Sequence, residues 1–307
     1  QSDFFDAPII VGSEKHADLA EEQLSEIGSS AQALILEPCA RNTAPAIALA
    51  ALAAKSPSAL LLIMPSDHLI KDVDAFLKAI TESLPIAKAR WLVTFGIEPT
   101  SPETGYGYIE QGEQIIGSAR SFSAKNFVEK PNLDNAERML SAGGFHWNAG
   151  IFLFRADAYL EAMETFAPEM LAAVTASMDK ADRNDIRVFP DERCFSNAPS
   201  DSIDYAIMER AEKVAVTPMN AEWSDVGSWD SLYEIAQKDS YENALTGEVA
   251  LMNSNRNLID AKDVTITTYG VEDLIIVANG EQVMIMRRGD SQHVKKIAGK
   301  ASKKNER

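Results

Sequence analysis

Cysteine is scarce: Cys39 and Cys194 are the only two in 307 residues. They stand far apart without metal-ligand spacing, which excludes a disulfide framework and a cysteine zinc site. Positive charge is also short. Lys and Arg number 29 against 46 Asp and Glu, a formal net charge of -17, whereas nonspecific binding to nucleic acid or to an anionic membrane needs a basic surface. No stretch approaches the roughly 20 consecutive apolar residues that span a bilayer. The opening Gln1-Ser2-Asp3-Phe4-Phe5-Asp6 lacks the basic start of a signal peptide. These absences predict a cytoplasmic protein with no nucleic-acid and no membrane partner. Any anionic substrate must then be held by local cations, helix N-termini or a divalent metal.

What is present is core. Apolar residues make up 46% of the chain, enough for one large domain and a smaller one. The stretch Leu60-Leu61-Leu62-Ile63-Met64-Pro65-Ser66-Asp67-His68 anchors the rest. Its apolar run reads as a fully buried parallel strand, and Asp67 lies just past the carboxyl end, where open α/β sheets bind ligands. Asp67 reads equally as a turn or cap residue. Strands at 8–11, 34–36 and 91–96 alternate with helices, so a mostly parallel sheet with helices on both faces is expected. The first helix has Ser13 as N-cap and runs to Ile27, with Leu19, Gln23, Leu24 and Ile27 on one face and Gly28 beyond its end. The next follows Arg41-Asn42-Thr43, with Asn42 or Thr43 as cap and Pro45 in the first turn, a generic anion or nucleotide cradle. A third is capped at Asp72 and turns Val73, Phe76, Leu77 and Ile80 inward.

Gly105-Tyr106-Gly107-Tyr108 follows a Pro-rich loop, where glycines allow close backbone approach to a ligand and the tyrosines line a sugar or the core. Glu129-Lys130 ends a strand as an acid-base pair; Asn148 and Gly150 introduce an apolar strand behind His146, read as a loop residue. A helical region from Ala156 to Lys180 is interrupted at Pro168, and 200–209 reads as a capped helix. Asp225 sits on a tight turn before a helix capped by Ser228; two aspartates at such junctions can share a hard cation through oxygen. From Gly247 short β segments follow, with Asn279-Gly280 as a hairpin turn. The expected divisions are 1–240, a small β domain at 246–299, and a basic tail at 300–307.

In this order the segments resemble the bacterial mannose-1-phosphate guanylyltransferases of the sugar nucleotidyltransferase superfamily. The resemblance rests on E-P-C-A-R-N-T-A-P-A-I-A-L-A from Glu37, M-P-S-D-H from Met64, G-Y-G-Y-I from Gly105, F-V-E-K-P from Phe127, W-N-A-G-I-F from Trp147, P-S-D-S-I-D-Y-A-I-M-E from Pro199 and W-S-D-V-G-S-W from Trp223. It implies a Rossmann-like, mixed, mostly parallel sheet of the nucleotide-diphospho-sugar transferase fold. It also implies a C-terminal all-β domain resembling a left-handed β-helix, which in relatives contributes to a homodimer. The implied reaction joins mannose 1-phosphate and GTP into GDP-mannose and pyrophosphate. Asp67 and Asp225 would hold Mg²⁺, and Lys130 would bind the sugar phosphate. Arg41, Asn42, Thr43, Pro65 and Ser66 would lie toward the nucleotide; Gly105, Tyr106, Gly107, Glu129, Asn148 and Gly150 would serve the sugar.

Two features of the resemblance are missing from the sequence. The glycine-rich loop G-G-x-G-x-R that opens the superfamily is absent, which predicts a truncated or incomplete chain whose lost central strand leaves a buried backbone edge with unmet hydrogen bonds. The isomerase domain of bifunctional relatives is absent too, so no isomerase activity is expected. The alternatives are a noncatalytic GDP-mannose-binding regulatory paralogue and a nucleotidyltransferase for another sugar and nucleotide.

Overall fold

The computed structural model describes residues 4–294. The expected tail at 300–307, Lys295, Lys296 and the first three residues lie outside the described residues. In chain order the elements are β1 (Ile9–Ser13), α1 (Ala17–Glu26), β2 (Ala33–Glu37), α2 (Thr43–Leu52), β3 (Leu60–Ile63), β4 (Leu69–Ile70), α3 (Val73–Lys88), β5 (Leu92–Ile97), β6 (Tyr108–Gln114) and β7 (Phe122–Val128). There follow α4 (Leu133–Ala142), β8 (Phe145–Arg155), α5 (Ala156–Phe166), α6 (Pro168–Asp179), β9 (Asp182–Asn184), β10 (Arg187–Phe189), α7 (Glu192–Phe195), β11 (Val214–Pro218), β12 (Trp223–Ser224) and α8 (Trp229–Ile235). The last strands are β13 (Ala244–Met252), β14 (Leu258–Tyr269), β15 (Leu274–Asn279) and β16 (Gln282–Arg287).

The chain forms two compact units. Among the described residues, one holds those up to Pro65 together with Asp72–Ala221; the other holds Ser66–Lys71 together with those from Glu222 onward. In the larger unit a four-stranded sheet has the order β1-β2-β10-β9, with β1, β2 and β10 parallel. A six-stranded sheet has the order β3-β8-β5-β11-β7-β6, and β6 also pairs with β8. β3, β5, β11 and β6 run one way while β7 and β8 run the other, so the sheet is mixed with most strands codirectional. The core follows from composition: α2 buries Ala44, Pro45, Ile47, Ala48, Leu49, Ala50 and Ala51, so it is covered almost all round. Tyr159 of α5 stacks on Phe154 and donates from its hydroxyl to Ala44 O at 2.9 Å, tying α5 to α2.

Several expectations need correction. Leu60–Ile63 is not a fully buried parallel strand: it pairs antiparallel with β8 and all four residues are half-buried. An apolar run reports removal from water, and says nothing of a neighbour's direction. The first helix begins at Ala17, after a 3-10 turn capped by Ser13. It packs through Ala17 and Ala20 against Leu34 and Leu36, leaving Leu19 and Ile27 exposed. Small residues let the helix approach the strand closely, so the larger side chains do not mark the buried stripe. In α3, capped by Asp72 as expected, Phe76 and Ile80 are buried but Val73 is exposed. Residues 204–208 form a π-helical turn, and His146 lies within β8.

In the smaller unit β4 and β12 form a two-stranded antiparallel ladder. β13, β14 and β15 stack in parallel, and β16 returns antiparallel through Asn279-Gly280, with Gly280 at φ 60°. Tyr233 of α8 packs with Ala244, Leu258, Ile275 and Met286, so this unit takes in the helix before residue 240. Buried polar groups hold the successive strands together. Asn257 donates from Nδ2 to Asn243 Oδ1 and to Val271 O, both at 3.1 Å, and its Oδ1 accepts from Leu274 N at 3.0 Å. Buried amides satisfied in this way fix register between coils as apolar contacts alone do not.

Candidate active site

In the larger unit a polar cluster gathers where β7 ends and β8 begins. Glu129 and Lys130 follow β7 directly, and the Lys130 ammonium lies 3.0 Å from Glu129 Oε1. Lys130 adopts a left-handed backbone, φ 47°, which turns the chain sharply after the strand. The Glu129 carboxylate beside it holds the lysine above its ordinary range, with Tyr205 and Asp204 adding in the same sense. Asn148 is fixed on three sides. Its Oδ1 accepts from Thr94 Oγ1 at 2.9 Å and from Gly150 N at 3.2 Å, and its Nδ2 donates to Asp204 Oδ1 at 2.9 Å. Gly150 supplies a positive φ of 66°, which a side chain there would resist.

Gly107 closes the cluster. Its carbonyl accepts from Asn148 N at 2.8 Å, and a Cβ on it would lie 2.5 Å from Glu129 Oε2 and 3.4 Å from Asn148 Cβ. Gly105, paired with it in the sequence reading, is exposed, and a Cβ there meets nothing within 4 Å. Tyr106 packs edge-on against Trp147 with ring centroids 5.1 Å apart, and Tyr108 is wholly buried beside that same indole. The open choice between sugar lining and core thus resolves to core for Tyr108.

The loop 38–43 lies in the same unit. Asn42 caps α2 by accepting from Thr43 N at 2.8 Å. Thr43 Oγ1 accepts from Ile203 N at 3.0 Å, and the Arg41 guanidinium donates to Ser196 O. These bonds hold the predicted nucleotide cradle to the segment 196–203. Pro65 is half-buried and Ser66 exposed on the way to Asp67.

The smaller unit holds the two aspartates. The β4/β12 ladder sets Leu69 opposite Ser224, so residues more than 150 positions apart in sequence become neighbours. His68 lies between their carboxylates electrostatically: burial pushes its imidazole below the ordinary range, while Asp67 and Asp225 both pull it back up. His68 Nδ1 accepts from Trp223 Nε1 at 3.2 Å, so a neutral ring carries its proton on Nε2. Asp225 Oδ1 accepts from Gly227 N at 3.0 Å, and a Cβ at Gly227 would come within 2.5 Å of Asp225 Oδ2. The glycine therefore gives the carboxylate room to fold back over its own turn. Among the described residues no group of three or more His, Cys, Asp or Glu is gathered in metal-binding fashion.

Comparison with known proteins matches residues 2–242 to the family described as nucleotidyl transferase. The chain belongs to the nucleotidyl transferase family. Residues 247–300 match the MannoseP isomerase/GMP-like beta-helix domain. The chain is 44% identical over 304 residues to a mannose-1-phosphate guanylyltransferase of Salmonella montevideo, covering 97% of the chain and 64% of that protein. It is also 44% identical to the enzyme of the same name from Escherichia coli K12, over 95% of the chain and 62% of that protein. The chain thus spans less than two thirds of the length of these curated relatives. A solved structure from Thermus thermophilus, described as a mannose-1-phosphate geranyltransferase, is 27% identical and superposes with a TM-score of 0.81, covering 96% of this chain and 84% of that one. Among the described residues no helix is long and apolar enough to cross a membrane.

Two acidic groups of the chain escape a reading by motif. Asp204 belongs to the S-I-D-Y stretch, but nothing in its spacing announces that it reaches Asn148. Burial pushes its carboxyl up to about 6, the Glu129 charge adds to this, and the bond from Asn148 opposes it. Glu37 ends β2, and burial pushes its carboxyl up to about 7, with Oε1 buried and unbonded among the described residues. A carboxyl raised in the folded state binds its proton more tightly there than in the unfolded chain. Its contribution is therefore present in full below about pH 4.5 and lost as pH rises through 7. Glu37→Gln removes that loss. The melting-temperature gain of the variant over the parent is expected to be larger at pH 8 than at pH 5, and an equal gain at both would contradict the burial argument.

Proposed function

We propose that the chain transfers GMP from GTP to mannose 1-phosphate, releasing pyrophosphate and GDP-mannose. The observation carrying this reading is the convergence of Asp67 and Asp225 on one imidazole, in a chain otherwise like the guanylyltransferases. Two neighbouring carboxylates offer the hard oxygen ligands that Mg²⁺ prefers. Asp67 and Asp225 would hold that ion through their carboxylate oxygens. When bound, it supplies charge neutralisation at the triphosphate.

The residues of the chain do the rest. Lys130 holds the phosphate of the sugar phosphate as a point charge, and Glu129 keeps that ammonium protonated and aimed. Glu129, Asn148 and the Gly107 backbone take the sugar hydroxyls. Arg41, Asn42 and Thr43 bind on the nucleotide side. An oxygen of the sugar phosphate, already anionic, forms the new bond to the α-phosphorus as the bond to the pyrophosphate oxygen breaks. No protein base has to remove a proton, so catalysis reduces to positioning and electrostatics.

The test is pyrophosphate release with four nucleoside triphosphates against mannose, glucose and N-acetylglucosamine 1-phosphates in MgCl₂. GTP with mannose 1-phosphate is expected to be fastest; a preference for UTP overturns the guanylyl assignment. Lys130→Ala is expected to raise the KM for the sugar phosphate about tenfold or more, with a smaller change in kcat, because one charge-assisted contact to phosphate is lost. An unchanged KM would reduce Glu129-Lys130 to a surface ion pair.

A further inference from the structure

Asn148 needs no carboxylate to orient it. Thr94 Oγ1 and Gly150 N both donate to its Oδ1, which already determines which way the amide faces. Asp204 nevertheless stands at its Nδ2, and stands there at a cost, since it is half-buried close enough to Glu129 for the two negative charges to oppose each other. The cation of this group, Lys130, is bonded to Glu129. A second half-buried carboxylate thus stands beside a first whose lysine is already bonded, and Asp204 accepts from Asn148, its own backbone N–H and Ser202. A sugar suits such a pair, because neighbouring hydroxyls are donors that the remaining lone pairs of two carboxylates can accept.

We infer that Asp204 is a sugar-binding residue, accepting one hydroxyl of the sugar phosphate next to the hydroxyl taken by Glu129. The inference rests on the guanylyl-transfer reading of this site and names the group that reads the sugar. Two further observations support it. Asp204 begins the π-helical turn Asp204–Met208, and such departures from the α-helix concentrate at functional sites. Gly107 keeps the space beside Glu129 free of a side chain, for a Cβ there would stand 2.5 Å from Oε2.

Only the ionised carboxylate accepts from every direction, so binding through Asp204 weakens as pH falls through about 6. The groups acting on it are Glu129 and Lys130 after β7, Asn148 on β8, Tyr159 on α5, and Ser202 and Tyr205 beside it in sequence. Of these, Asp204 is the group that burial raises to about 6, and Asp204→Asn removes it.

The experiment is isothermal titration of the full chain and of Asp204→Asn with mannose 1-phosphate, glucose 1-phosphate and GTP, from pH 5 to 8. At pH 7.5 the variant is expected to bind mannose 1-phosphate at least tenfold more weakly and GTP within twofold of the parent. The ratio of the two proteins' affinities for mannose 1-phosphate is expected to approach one at pH 5, and taking the ratio cancels ionisation of the ligand's own phosphate. A folded variant with unchanged sugar-phosphate affinity, or a ratio independent of pH, overturns the inference. If Asp204→Asn does not fold, Asp204→Glu serves: the carboxylate moves by one methylene, and a comparable loss that persists with the pH dependence is expected, while unchanged affinity overturns the proposal. Should the parent bind glucose 1-phosphate in place of mannose 1-phosphate, the mannose reading fails and the comparison at Asp204 stands on the ligand that binds. A parent that binds no sugar phosphate ends both.

Discussion

Asp225→Asn is expected to lower kcat by about 10²–10³-fold at saturating Mg²⁺, the scale of losing one preorganised charge stabiliser at a transition state. The substitution is close to isosteric. An asparagine keeps an oxygen to accept from Gly227 N, the 3.0 Å bond that shapes the turn, so the loop survives and the melting temperature should move by no more than a few degrees. What is lost is charge. Asp67→Asn is expected to behave alike, since Asp67 is exposed and contributes little packing. An independent readout comes from His68, whose imidazole both carboxylates pull upward. Either variant should lower the His68 pKa, measured by NMR titration without any substrate present. Parental turnover in both variants would remove the aspartates from the chemistry, and an unmoved His68 would remove them from each other's neighbourhood.

The largest effect on stability is expected at Gly247. It sits in β13 opposite Ala261, at the point where the register with β14 shifts. Its φ is +84°, and a Cβ built on it would lie 1.9 Å from the Ala261 carbonyl oxygen and 2.9 Å from its carbon. Those are backbone atoms, so no rotamer change relieves the clash; the ladder between β13 and β14 has to part. Left-handed strain costs about 1–3 kcal/mol for a non-glycine residue, and overpacking against fixed atoms costs a similar amount. Gly247→Ala is therefore expected to destabilise this unit by about 2–6 kcal/mol in urea unfolding, the sum of those two costs. Gly270→Ala is the control: its φ is +65°, but a Cβ there meets nothing within 4 Å, so the strain stands alone. Equal costs at the two positions would mean that the close approach to Ala261 does not constrain the fold.

The contrast between these glycines shows where sequence reading stops. Glycine after asparagine at 279–280 announces a hairpin by local chemistry, and the hairpin forms. Gly247 carries no local signal, because its reason is the carbonyl of Ala261 on the next strand. Gly105 and Gly107 look alike in sequence, yet only Gly107 is buried against Glu129 and Asn148. The cap at Asn42, the break between α5 and α6 at Pro168 and the cap at Ser228 were all legible, since each depends on residues within one helical turn. The exposed side of α1 and the antiparallel partner of β3 were not, since each depends on what packs from elsewhere.

By itself the sequence determined the α/β class, the change to β structure from about Gly247, and the short list of charged residues from which a phosphate-handling site can be built. These follow from periodicity, composition and local turn chemistry, which act over a few residues. Only the tertiary structure decided that Asp67 and Asp225 act on one histidine, that Asp204 joins Glu129 and Asn148, and that Tyr108 is core. Each of those depends on burial and on contacts between distant segments, and both arise only once the strands have paired.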